Sequence, residues 1–153
     1  MHKFWIVTAA ALVVCFGVAA NAQQRIGTAT GIKPEAKGSV AGQLSASSSV
    51  HANETVTTGG SGQANLQFLD NTKLSVGPTS TVRLDKFVYD PNKSKGSVVV
   101  NATRGSYRFV TGVQDSKSYE IKTPYATLGV RGTVLEVVVN RRERAGRRAS
   151  LSR

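Results

Sequence analysis

Beyond residue 22 the sequence has no cysteine, no tryptophan and no methionine, and its one histidine is His51. Each absence closes a route to function. Without a pair of thiols there is no disulfide scaffold, and without clustered histidines or cysteines a zinc-type centre has no ligand set. A Ser–His–Asp arrangement would rest on His51 alone, which lies in a Ser-rich polar stretch and fits a surface or turn histidine better. The carboxylates are scattered, and Asp70, Asp90 and Asp115 sit in turn contexts, where a side-chain oxygen accepts from nearby backbone N–H groups. Gly59-Gly-Ser-Gly62 lacks the Lys-Ser/Thr ending and the following helix of a phosphate loop. The sequence therefore predicts no metal, no cofactor and no catalytic residue: a non-enzyme. Also missing after residue 22 is an apolar period of 3.6 residues sustained over helix length.

The one long apolar run is N-terminal. His2 and Lys3 precede an apolar stretch from Phe4 to Ala20, and Ala20-Asn-Ala22 is an A-x-A cleavage site. Residues 1–22 are read as a signal peptide cleaved after Ala22, which makes the mature chain periplasmic or secreted. An uncleaved anchor is the alternative, but the run is at the short end for a span and no stop-transfer charges follow it. Cys15 follows Val14 directly, a poor lipobox. Cleavage removes the only cysteine and leaves one ordinary domain with no transmembrane segment.

What is present is a β pattern. Residues 23–37 are polar, with Gly27, Gly31 and Pro34, and are expected to form a flexible or loosely docked lead-in. Residues 38–140 carry the domain. Loose alternation through Val40, Leu44, Val50 and Val56 suggests short strands, and Thr57 to Gly62 is a loop. The pattern then strengthens: Leu66 with Phe68, a turn at Asp70-Asn-Thr72, Leu74 with Val76, Val82 with Leu84, Val98-Val-Val100, and Tyr107 with Phe109. Strands recur at intervals of roughly 8 to 14 residues with Gly, Pro or Asn between them. The fold class that follows is all-β, a compact antiparallel or solenoid-like domain of short strands. Tyr107 and Tyr119 fall at core parity, while Tyr125 is expected to be more exposed. The last strand, from Thr133 to Asn140, puts Leu135, Val137 and Val139 on one face, and no recognisable partner strand follows, so it is a candidate open edge.

The densest cluster of conformationally special residues is Thr123-Pro-Tyr-Ala-Thr-Leu-Gly-Val-Arg-Gly-Thr133. Pro124 fixes its own φ and pushes Thr123 towards an extended conformation. Gly129 and Gly132 bracket Val130 and Arg131, permitting tight turns or close approach on both sides. The pattern is strand, shaped turn, strand, with Arg131 presented at the bend. Two roles are open to Arg131: tying the turn to backbone carbonyls of a neighbouring strand, which its five-donor fork favours, or reaching a partner's acidic group. Thr123, Pro124, Tyr125, Gly129, Val130, Arg131, Gly132 and Thr133 are the candidate contact residues.

This segment resembles the TPxAxxGVRGT signature of the FecR domain family. The segment from Phe68 to Leu84 is similar to that family's apolar, Asp-Gly-Thr, Pro-x-Ser pattern, and Phe87-Val-Tyr-Asp90, Arg104-Gly-Ser-Tyr-Arg-Phe-Val-Thr-Gly112 and Tyr119-Glu-Ile-Lys-Thr123 fall in the family's order and spacing. The resemblance runs from Gly38 to Val139. Val134 departs from it where the family often has Asp or Ala, and Leu135 where it often has Phe. The resemblance implies a compact β domain with solenoid character and a place in cell-envelope signalling. In FecR-type regulators the periplasmic part receives a signal from an outer-membrane transporter and a cytoplasmic part controls a sigma factor. Here a signal peptide stands where that cytoplasmic part would be. The leading expectation is thus binding to another envelope or periplasmic protein.

The tail is different in kind. Arg141-Arg-Glu-Arg-Ala-Gly-Arg-Arg-Ala-Ser-Leu-Ser-Arg153 holds six arginines and one glutamate, nearly half of the net charge of +11. Three readings stand: a basic disordered tail for an anionic surface or polysaccharide, an inert solvated tail, or the truncated or frameshifted end of a longer family member. Without interleaved aromatics it does not point to specific nucleic acid. The alternative function is accordingly a secreted domain that binds envelope polysaccharide or an anionic surface through residues 141–153.

Overall fold

The structure, a computed structural model, describes residues 23–140. The expected signal peptide at 1–22 and basic tail at 141–153 lie outside the described residues. Alternating side chains build twelve strands: β1 (Arg25–Lys33), β2 (Ala36–Gly38), β3 (Gly42–Gln43), β4 (Ser49–His51), β5 (Thr55–Thr58), β6 (Gln63–Phe68), β7 (Lys73–Val76), β8 (Thr81–Asp90), β9 (Lys93–Val110), β10 (Tyr119–Lys122), β11 (Thr127–Gly129) and β12 (Val134–Val139). A 3-10 turn at Ser116–Ser118, capped by the Asp115 carboxylate, is the only helical element among the described residues. The domain is all-β, as its sequence predicts.

The strands form one curled sheet in the order β3-β2-β5-β8-β9-β7-β6-β1-β4; β10 and β12 also pair with β9, and β11 pairs with β10. The β9–β10 ladder is parallel and the others are antiparallel. The first half of β9 pairs with β8 on one side and β10 on the other; its second half pairs with β7 and β12. Between the halves stands Gly105, at φ 110, where a Cβ would run into Ser80. The strand bends there without ending. Sequence alone suggests separate strands at Val98–Val100 and Tyr107–Phe109, whereas the glycine carries a single strand round the corner.

The bend sets the two halves of β9 face to face. Phe109 of the second half meets Tyr119, the partner of Val98 in the first half, with ring centroids 5.7 Å apart. Phe68 and Phe87 make the same crossing at 5.7 Å. Such pairs add about 0.5–1.5 kcal/mol beyond the area they bury. Leu66, Leu74 and Val76 fill the core from one side, and Leu84, Val100 and Ile121 from the other. The link from β7 to β8 turns the same corner. Its buried Ser80 donates to the Pro78 carbonyl (3.0 Å) and accepts from Ser106 N–H (3.2 Å), which laces the two crossings together.

The expected lead-in needs correcting. Residues 25–33 are not a loose lead-in: β1 lies between β4 and β6 and buries Ile26 and Ala29. Register shifts between Arg25 and Gly27 and between Ala29 and Gly31 break its two-residue period, so no clean alternation is visible. In β8 a shift between Leu84 and Lys86 changes parity, so that Phe87 turns inward after Val82 and Leu84.

Candidate functional site

The segment 123–133 makes two turns with β11 between them, rather than one shaped turn. Thr123 closes the first. Its N–H donates to the Ala126 carbonyl at 2.8 Å, its Oγ1 donates to the same carbonyl at 3.0 Å, and Oγ1 accepts from Ala126 N–H at 3.0 Å. This leaves Pro124 and Tyr125 at the tip, both exposed. In the second turn Val130 is buried and donates its N–H to the Tyr119 carbonyl at 3.2 Å. Gly132, at φ 131, then swings the chain towards β12, and the Thr133 carbonyl accepts from Thr111 N–H at 3.0 Å. Close approach explains neither glycine, because a Cβ at Gly129 or Gly132 would meet nothing within 4 Å. For Gly129 the structure shows no conformational need.

Because Lys122 pairs with Thr127 and Glu120 with Gly129, Tyr125 and Arg131 stand at opposite ends of the β10–β11 hairpin. The candidate residues therefore do not form one site. Arg131 is exposed and makes no hydrogen bond or ion pair with another described residue, so the favoured reading of it as a structural tie is corrected. Beside it, among the described residues, β11 pairs only with β10, and β12 only with β9. Val134 and Val138 on β12 are 49% and 66% exposed, and Leu135, Val137 and Val139 face inward, as their spacing predicts.

At the tip, Tyr125 is 66% exposed, and its hydroxyl donates to the Asn140 carbonyl at 3.3 Å. On one side of the ring lies an apolar cleft of about 570 Å³ between Leu128 and Val137 to Val139. On another lies a cleft of about 320 Å³ floored by Thr81, Thr103 and Arg104. Arg104 was not singled out from sequence. The available signal was Thr103-Arg104, two polar residues in succession before Gly105, which breaks the alternation as a bulge does.

The sequence also leaves two buried carboxylates unrecognised. Asp70 accepts from Thr72 N–H (3.0 Å) and Thr72 Oγ1 (2.8 Å), as a turn residue does, but also from Gln114 Nε2 (2.7 Å) and the Tyr119 hydroxyl (3.2 Å). The Tyr119 oxygen in turn accepts from Gly112 N–H at 3.0 Å and Gln114 N–H at 3.1 Å. Burial raises the Tyr119 phenol above the ordinary tyrosine range, and the Asp70 charge acts in the same direction. Asn71, at φ 65, stands where the resemblance has glycine; asparagine tolerates that left-handed conformation. Glu54 is also fully buried and accepts from the N–H groups of Val40 (3.3 Å), Ala41 (3.0 Å) and His51 (2.8 Å). His51 Nδ1 lies 3.5 Å from Glu54, at the partly exposed end of β4. These are knots that hold loops rather than open sites. No group of three or more His, Cys, Asp or Glu that could hold a metal occurs among the described residues.

Among the described residues no helix is long and apolar enough to cross a membrane. No curated protein and no solved structure matches the chain. The model of one family, FecR protein, matches residues 54–151, roughly two-thirds of the sequence. The match begins later than Gly38, where the resemblance was expected to start, and runs beyond Val139. It includes the Asp70 knot, the corner of β9 and both turns of the 123–133 segment. FecR domains are extracytoplasmic in their family context, and the family is associated with cell-surface signalling. The motif segment, the fold and the match agree, and the chain belongs to the FecR protein family.

Proposed function

We propose that this chain is a secreted, non-enzymatic module of an envelope-signalling system that binds another envelope protein along the open edges of β11 and β12. The observation that supports it most is the edge of β12. This strand is six residues long, is paired on one side among the described residues, and exposes Val134 and Val138. The ends of the main sheet path are β3 and β4, only two and three residues long. Short edges offer little to an incoming strand, whereas a long apolar one offers a row of main-chain donors and acceptors with side-chain pockets for specificity. Arg131, which pairs with no other described residue beside that edge, supplies a charge for an acidic group on the partner.

A photo-crosslinking side chain at Val134 of the full chain, activated in the intact envelope, tests this. The expected result is one discrete adduct, lost when Val138→Lys puts a charge on the edge and accompanied by an unchanged melting temperature. A smear of adducts, or an adduct indifferent to Val138→Lys, would rule the edge out as the contact.

A further inference from the structure

We infer that the cleft at the corner of β9 binds an acidic saccharide, with Arg104 holding the carboxylate of a sugar unit and Tyr125 stacking against its ring. Arg104 and Tyr125 are not among the contacts proposed for a protein partner, although Val138 of that β12 edge lines the larger of the two clefts.

Topology makes the cleft. β10 runs parallel to β9 and ends with Lys122 opposite Asn101; β12 runs antiparallel and ends with Val139 opposite Gly105. Both strands stop short of residues 102–104, which among the described residues have no strand partner on that side. Opposite, Thr81 pairs with Arg104 and Val82 with Ala102, so Thr103 is the extra residue of a bulge. The bulge turns Thr103 and Arg104 out in succession, and both are exposed. Bulges commonly re-aim a side chain in this way beside functional sites.

The floor is held in place. The buried Tyr107 hydroxyl accepts from Thr81 N–H at 3.2 Å and lies against the carbonyl oxygens of Thr81 (2.6 Å) and Arg104, to one of which its single proton goes. The Arg104 backbone is thus fixed, while its guanidinium makes no hydrogen bond or ion pair with another described residue. Arg104 lines both the 320 Å³ cleft, with Thr81, Thr103 and Tyr125, and a second of about 630 Å³, with Thr79, Ser106 and Asn140. Among the described residues no carboxylate lines either one.

This donor set selects a class of ligand. A free guanidinium takes a carboxylate through two parallel hydrogen bonds. Hydroxyl and amide groups both donate and accept, which suits a ligand carrying many hydroxyls. A tyrosine ring, held by its polar tip, presents an apolar face to a sugar ring. An acidic peptide fits less well. Where β10 and β12 run end-on into the cleft, the described residues offer no continuous strand edge for a peptide backbone to extend.

Titration of the full chain with tetragalacturonate, its methyl ester and polyglutamate tests the inference. Tetragalacturonate should bind at least about tenfold more tightly than the ester, as expected when a charged hydrogen-bonding pair is lost. Arg104→Ala and Tyr125→Ala should each weaken it by about tenfold, and Tyr125→Phe, which keeps the ring, by much less. Lys117→Ala removes one exposed charge elsewhere and should change affinity by no more than about twofold, since a single distant charge is largely screened. If Arg104→Ala melts early, Arg104→Lys keeps the charge and the stem, and should still lose the bidentate contact. Equal losses from Arg104→Ala and Lys117→Ala would overturn the site in favour of diffuse charge. Binding indifferent to Arg104 would overturn it in favour of another cationic segment, the 141–153 arginines included. Equal or tighter polyglutamate binding with the same Arg104 dependence would replace the saccharide by an acidic peptide. None of these outcomes depends on the Val138→Lys crosslink, so the two proposals fail separately.

Discussion

Asp70 and Arg131 both stand in family-matched segments, yet their surroundings are opposite. The Asp70 carboxylate is fully buried and accepts four hydrogen bonds from three residues, drawn from its own turn, the loop after β9 and the start of β10. Arg131 is exposed and bonds to no described residue. A buried charged group must have each lone pair answered, because desolvation is costly and unmatched donors around it cost more. An exposed arginine is hydrated and contributes little to the fold. The same family pattern thus contains residues that hold the domain together and residues that are free to meet something else.

Substitution should separate the two groups sharply. Asp70→Ala leaves Thr72, Gln114 and Tyr119 with buried unpaired donors and should cost about 3 kcal/mol or more of stability in urea unfolding. A cost below about 1 kcal/mol would show that the knot relaxes or admits water, and would erase the contrast with Arg131. Alkaline pH should strain the same interior less abruptly. Burial raises both the Tyr107 and Tyr119 phenols above the ordinary range. Their neutral forms are shared by the folded and unfolded chain below the ordinary tyrosine pKa of about 10, so stability is intact there. As pH rises past that value the unfolded chain loses its protons first and stability falls. Melting temperatures between about pH 9 and 11 should therefore decline, and Tyr119→Phe should flatten the slope. The smallest effect belongs to Arg131→Ala, with stability within about 0.5 kcal/mol of the parent. The Val134 crosslink should nonetheless weaken in that variant; an unchanged adduct would confine recognition to β12 itself.

Much of the fold was legible because two-residue alternation reports burial directly wherever a strand is regular. Leu66 with Phe68, Leu74 with Val76, and Leu135 with Val137 and Val139 all lie on the expected faces. Legibility failed at irregular backbone. The shifts in β1 disguised a strand as a lead-in, the shift after Leu84 changed the face of β8, and the Gly105 bend disguised one strand as two. The candidate site was legible in part. Tyr125 is exposed as predicted, but Arg131 lies at the far end of its hairpin, and Arg104 entered only with the fold.

By itself the sequence determined the class of the domain, its family, and which residues of each regular strand turn inward, because side-chain alternation and turn chemistry act within a few residues. Tertiary structure alone decided that Asp70 and Glu54 are interior knots, that β12 has one edge unpaired among the described residues, and that Arg104, Tyr125 and Asn140 share one corner. Those juxtapositions join residues from distant parts of the chain. They depend on where β9 bends and on which strands stop short beside it, and no local pattern carries that information.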